Sequence, residues 1–106
     1  MMSEWSQRRK ARFRGEVLSL LAGRHLNQMS RMDDTAMCRT LQSLAWDVEI
    51  KDVVTILQDM SGRYWVKYEY CHDKDAGRVY LHTIEICPEG QDLVDETKRH
   101  PAVRFD

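Results

Sequence analysis

With 106 residues, 42% of them hydrophobic and 31% charged, the chain has the make-up of one soluble globular domain with a single core. No apolar run approaches the roughly 18 residues that cross a bilayer, and the Arg-rich start lacks the apolar stretch of a secretory signal, so a cytoplasmic protein without a membrane partner is expected. The formal charge of −1 excludes the whole-molecule basic field that drives nucleic-acid binding, although Arg8, Arg9, Lys10, Arg12 and Arg14 crowd into seven residues.

Ser3 or Ser6 can cap a first helix that continues through this basic stretch toward Arg24. Its apolar positions, Trp5, Phe13, Val17, Leu20 and Leu21, fall mostly at spacings of three or four. The half from Glu16 onward is core-facing, whereas the half before it is too polar to be buried along its length. This divides the chain into a basic N-terminal extension over 1–15 and a folded domain over 16–106. Gly15 and Gly23 weaken the helix locally, by roughly 1 kcal/mol each relative to Ala. The polar stretch 27–32 then breaks it. Asp33 or Asp34 can accept from the free N–H groups of a second helix, which reaches about Ala45 with Ala36, Met37, Leu41 and Leu44 inward. Trp46-Asp47 makes a tight connection to a third helix, and two helices on so short a turn form a helix-turn-helix.

The stretch 48–62, V-E-I-K-D-V-V-T-I-L-Q-D-M-S-G, reads as that third helix. Ile50, Val53, Val54 and Leu57 recur at helical spacing, and Met60 follows one turn later. With Glu49 as the capping residue, Val48 and Val53 take the two places of a hydrophobic staple. Gly62 falls where a helix commonly reverses into a left-handed residue. The period then changes to two. Tyr64, Val66, Tyr68 and Tyr70 alternate with Trp65, Lys67 and Glu69, and after a charged turn over 72–77, Tyr80, His82, Ile84 and Ile86 share one face. Two such runs make a β-hairpin whose apolar face must lie against the helices. Pro88 suits the first position of a last helix, with Glu89 in its first turn, Leu93 and Val94 inward, and His100-Pro101 at its end. Val103 and Phe105 form an apolar tail suited to packing on a neighbour.

The fold class expected is therefore mainly α (α+β), with three helices, a β-hairpin wing and a C-terminal helix in winged helix-turn-helix order. That order resembles the winged-helix proteins over residues 14–103. A closer likeness is to small winged-helix proteins of the ArsR-like group encoded by Mu-like phages and prophages. It is carried by the 48–62 stretch, the hairpin, and I-C-P-E-G-Q-D-L-V-D-E-T-K-R-H-P-A-V. Where the family commonly opens the helix after the hairpin with Thr, two residues and Gly, this chain has Cys87-Pro88-Glu89-Gly90. Pro101-Ala102-Val103 stands where the family has Pro, a small residue and Val. The resemblance implies DNA binding, in transcription regulation or phage DNA handling, although a fold does not establish a function.

In such a fold the third helix is offered to a major groove. Its outward residues are expected to be Glu49, Lys51, Asp52, Thr55, Gln58 and Asp59. Lys51, Thr55 and Gln58 suit phosphate or base contacts, whereas three carboxylates meet phosphates as like charges. A solvated face of a packing helix is the alternative. The basic run, Arg8, Arg9, Lys10, Arg12 and Arg14, can lie along phosphates or enter a minor groove as an arm. It can equally be a solvated helix face or, with Trp5 and Phe13, a surface that meets another copy. On the wing, Arg63, Lys67, Lys74 and Arg78 can reach phosphates, opposed by Asp73 and Asp75 at the tip. Arg31 and Arg39 are further candidate backbone contacts.

Three cysteines, Cys38, Cys71 and Cys87, read as reduced thiols. Cys71, His72, His82 and Cys87 bracket the hairpin, and the resemblance brings metal-sensing repressors into view. Paired C-x2-C ligands are absent, and strand alternation sets Cys71 and His72 on opposite faces, so no metal is expected. Without a nucleophile elbow, a phosphate-cradling loop or H-E-x-x-H, neither catalysis nor a cofactor is expected. Two functions remain. One is a homodimeric winged helix that binds double-stranded DNA. The other is a winged-helix protein–protein interaction module without DNA binding, favoured by the acidic third helix and by Trp65, Tyr68 and Tyr70 on the hairpin.

Overall fold

A computed structural model describes residues 2–26, 32–75 and 77–105. After a 3-10 turn at Met2–Glu4, Ser6 opens α1 (Gln7–Leu26) by accepting the Arg9 N–H at 3.1 Å. The helix has no break at residue 15. Ala11, Phe13 and Gly15 are buried like Val17, Leu18 and Leu21 beyond them. The basic residues are thus mounted on the first half of a packed helix, where a separate extension was expected over 1–15. Most of the expected polar break, including Arg31, lies outside the described residues.

Asp33 caps α2 (Asp34–Ser43), its carboxylate accepting the Ala36 N–H at 2.7 Å. Met37, Cys38 and Leu41 face the core, but Leu44 is 47% exposed because the helix has already ended. Glu49 opens α3 (Ile50–Gly62), and its N–H is accepted by Asp52 at 3.0 Å, the returning half of a capping box. Val48 and Val53 are both buried, as the staple requires. The core stripe is Val53, Ile56, Leu57 and Met60, with Ile50 and Val54 at its border.

Gly62 stays helical, and the left-handed residue is Tyr64, at φ 64°. The Tyr64 N–H bonds to the Ser61 carbonyl and the Trp65 N–H to the Met60 carbonyl, each at 3.0 Å, which is the Schellman motif. This placement carries Trp65 into the core, and that burial explains why the reversal falls past the glycine. The same pair of bonds ends α2, with Ala45 left-handed at φ 70° and Trp46 following.

Strands β1 (Val66–Asp73) and β2 (Arg78–Ile86) pair antiparallel. Val66 opposes Ile86 and Lys67 opposes Glu85, but Glu69 opposes His82, so β2 carries one extra residue. Thr83 sits in this bulge at φ 56°. The bulge reverses the side-chain phase, and Leu81 joins Ile84 and Ile86 in the core. The single face expected for Tyr80, His82, Ile84 and Ile86 is therefore corrected: Tyr80 and His82 are only half-buried, their rings stacked on each other at 5.6 Å. On the other side of β2, Met32 forms an antiparallel bridge with Ile84, whose N–H reaches the Met32 carbonyl at 2.9 Å.

Helix α4 (Pro88–Val94) is shorter than the stretch to His100 that was expected. A third Schellman closure, with Glu96 at φ 60°, returns the N–H groups of Thr97 and Lys98 to the Asp92 carbonyl. The remaining chain folds back over α1. Arg104 N–H bonds to the Ala11 carbonyl at 3.0 Å, and Arg14 Nη1 donates to the Ala102 carbonyl at 3.2 Å. A Cβ on Gly15 would overlap the Arg104 carbonyl, so glycine is what admits the tail. The tail expected to pack on a neighbour thus packs Ala102 and Val103 on its own core. Together the described residues form a mixed α+β domain of four α-helices and a two-stranded hairpin. No helix among them is long and apolar enough to cross a membrane.

Candidate nucleic-acid interface

Burial of one stripe of α3 turns the opposite stripe outward. Lys51, Thr55 and Gln58 recur at helical spacing on it, and all three are exposed. The Thr55 hydroxyl donates to the Lys51 carbonyl at 2.8 Å, and Lys51 Nζ lies 3.3 Å from Glu49. The other two carboxylates expected outward are differently placed. Asp52 is only 8% exposed, committed to the helix cap. Asp59 is half-buried between two arginines, 3.1 Å from Arg14 Nε and 3.3 Å from Arg63 Nε.

Lys51, Thr55 and Gln58 line an open groove of about 520 Å³ between α3 and the start of β2. Ile50, Val54 and Val79 give it an apolar floor, which the sequence reading did not assemble. Arg78 stands at its edge, but its guanidinium is already engaged. Nη1 and Nη2 grip the two oxygens of Asp34 at 2.8 and 3.3 Å, and Asp34 is fully buried. The Leu81 N–H and the Thr35 hydroxyl supply two further donors to that carboxylate. A buried charge is tolerable only when paired and hydrogen-bonded in this way. Arg78, expected as a phosphate contact, is thus a structural anchor joining α2 to the hairpin.

The neighbouring carboxylate completes a clasp. Tyr80 donates its hydroxyl proton to Asp33 at 2.6 Å. This bond holds the Asp33 carboxyl below its ordinary range, assisted by the Ala36 N–H and partly opposed by burial. The same bond, with burial adding to it, pushes the Tyr80 phenol up to about 12.

The basic run is divided by its packing. Arg9 lies over Trp5 at 4.4 Å and over Trp46 at 5.5 Å, and Phe13 packs between those indoles at 5.4 and 5.0 Å. Trp5 and Phe13, expected as a possible meeting surface for another copy, are thereby used inside the chain. Arg14 is held by Asp59 and Ala102. Arg8 and Arg12 remain on the exposed side of α1, with Lys10 half-buried. Arg9 and Arg12 border clefts beside Trp46, and the groove at α3 is lined by none of the five.

On the hairpin, Lys67 pairs with Glu85 at 3.4 Å, and Lys74 is exposed in the turn. Arg63 stacks on Trp65 at 5.1 Å as well as pairing with Asp59. Arg39 is exposed on α2. The aromatic cluster expected from Trp65, Tyr68 and Tyr70 does not form one surface. Trp65 is buried against His100, while Tyr70 and Tyr64 are exposed. Burial raises the thiol pKa of both Cys38 and Cys87, and Cys71 is exposed. Among the described residues, no group of three or more His, Cys, Asp and Glu side chains is placed to hold a metal ion. Compared with protein-family models, curated proteins and solved structures, the chain matches none.

Proposed function

We propose that the chain is a winged-helix DNA-binding protein that offers α3 to duplex DNA, with the hairpin as its wing. The order of three helices, hairpin and helix supports this reading. The observation that carries it is the disposal of charge on α3. With Asp52 buried in the cap and Asp59 neutralised by Arg14 and Arg63, the outward face presents Lys51, Thr55 and Gln58 with Glu49 as its one exposed carboxylate. An amide and a hydroxyl suit base edges, and the lysine suits phosphate. Lys74 at the wing tip adds a phosphate contact, and Lys67 adds another by exchanging Glu85 for phosphate. As a homodimer, the protein sets two such helices on successive half-sites. A role in transcription regulation or phage DNA handling accords with this reading.

A gel shift on a duplex library at low salt tests it. The wild type retains duplex, and Lys51→Glu with Gln58→Ala releases it without lowering the melting temperature. Equal retention by that variant contradicts the assignment of α3. A second reading, a protein-interaction module, is favoured by one observation, the apolar floor of Ile50, Val54 and Val79 in the same groove. On that reading Val54→Lys abolishes partner capture and no duplex is retained at any salt.

A further inference from the structure

The strongest unassigned feature is a run of three clefts on the side of α1 that carries Arg9 and Arg12. The first, about 270 Å³, lies at Trp46 between these two arginines and Leu44. The second, about 120 Å³, shares Arg12, Glu16 and Trp46 with the first and extends to Arg104 and Phe105. The third, about 710 Å³, shares Arg104 and Phe105 with the second and opens between the tail and α4, where Arg99 and His100 line it. The shared wall residues make the three clefts neighbours on one face, organised by the close approach of the tail to Gly15.

This row of clefts has two chemical marks. It carries more cations than carboxylates, since Arg9, Arg12 and Arg99 line it with Glu16 and Glu96, while Lys98 and Arg104 in the same walls have partners of their own. Glu16 is also drawn toward the Trp46 Nε1–H at 3.4 Å. Two aromatic rings line it, Trp46 at one end, where Arg9 already lies over the indole, and Phe105, 43% exposed, farther along. A duplex turns its bases inward and meets ridges through its phosphates. A single strand brings both a phosphate chain and free base faces, and cationic clefts with aromatic walls serve both.

We propose that this row of clefts binds single-stranded nucleic acid, with phosphates on Arg12 and Arg99 and a base against Phe105. The site is separate from the duplex-binding face assigned to α3 and does not depend on that assignment. The test is fluorescence anisotropy of the 106-residue chain with labelled oligo-dT, oligo-rA and a mixed-sequence duplex at low salt. Both single strands are expected to bind with an affinity that falls as salt rises. Arg12→Glu with Arg99→Glu is expected to weaken them at least tenfold, and Phe105→Ala about fivefold, which is the low end for one stacked base. Lys51→Glu is expected to leave them unchanged. If only one of the two oligomers binds, the proposal stands for that nucleic acid alone. It is overturned if neither binds, if the Arg12/Arg99 variant binds as the wild type does, or if Lys51→Glu weakens single strands as much as duplex. All these positions are exposed, and melting curves of the variants confirm that folding is not the cause.

Discussion

A single carboxylate, Asp34, decides how the hairpin is attached. It is 0% exposed and meets Arg78 from 44 residues away, so neither its burial nor its partner has any local signal in D-D-T-A-M-C-R-T. Sequence reasoning offered Asp33 or Asp34 as the cap of α2, a role Asp33 fills, but treated Arg78 as one more basic residue on a wing. Arg78→Gln leaves a buried charge short of its strongest partner and is expected to cost about 3 kcal/mol, read as a lower denaturant midpoint. Asp34→Asn in the same chain should recover part of that loss.

The Asp33–Tyr80 bond gives the clasp a pH dependence at both ends. The Asp33 pKa is depressed in the folded state, so its contribution is present above the ordinary value of 3.8 and lost as pH falls through the folded value. The Tyr80 pKa is raised, so its contribution is complete below 10 and lost between 10 and about 12. An ultraviolet titration should show one of the four tyrosines ionising near pH 12, and Tyr80→Phe should remove that late phase. If Tyr80→Phe leaves the titration curve above pH 11 unchanged, the bond is not kept in solution.

At the scale of elements, the helix starts and most of the apolar stripes were legible, and the C-terminal ends were not. The stripe Val53, Leu57 and Met60 announces α3 because its periodicity is strong, and the capping candidates that include Ser6 and Asp33 announce two helix starts. Helix ends were read from glycine and proline, yet all three Schellman turns use other residues, Ala45, Tyr64 and Glu96. At Tyr64 the turn is favoured by the burial of the following residue, Trp65, and this is tertiary information. A left-handed non-glycine residue costs roughly 1 kcal/mol. Tyr64 is 76% exposed and loses little packing when replaced, so Tyr64→Gly should stabilise the protein by about 1 kcal/mol, a rise in melting temperature of roughly 4–8 °C. The bulge at Thr83 was hidden for the same reason, since no glycine marks it. Gly15 and Gly90 show the converse. Both lie in helices and looked merely weakening or family-like, but a Cβ on either would overlap a backbone carbonyl, of Arg104 and Trp65 respectively. Gly15→Ala is expected to release the tail, seen as rapid proteolysis after Arg99 or Arg104 and a loss of about 1–3 kcal/mol.

For the molecule as a whole, the element order could be read from the chain, and the arrangement of its charges could not. The candidate contacts looked like one basic collection spread over arm, helix and wing. Folding sorts them: Arg14 and Arg63 onto Asp59, Arg78 onto Asp34, Arg9 onto two tryptophans, and Lys51, Thr55 and Gln58 together on α3. Of the three carboxylates on α3 that counted against DNA, Asp52 and Asp59 are used in holding the fold. What reaches solvent from α3 is far less acidic than its sequence suggests. Duplex affinity measured as a function of salt tests this reading most directly. The account predicts binding whose logarithm falls linearly with the logarithm of salt, with a slope of about −0.9 for each phosphate contacted, and a slope about one unit shallower in Lys51→Ala. A duplex affinity that is absent at low salt, or one with the same slope and strength in Lys51→Ala, would contradict it.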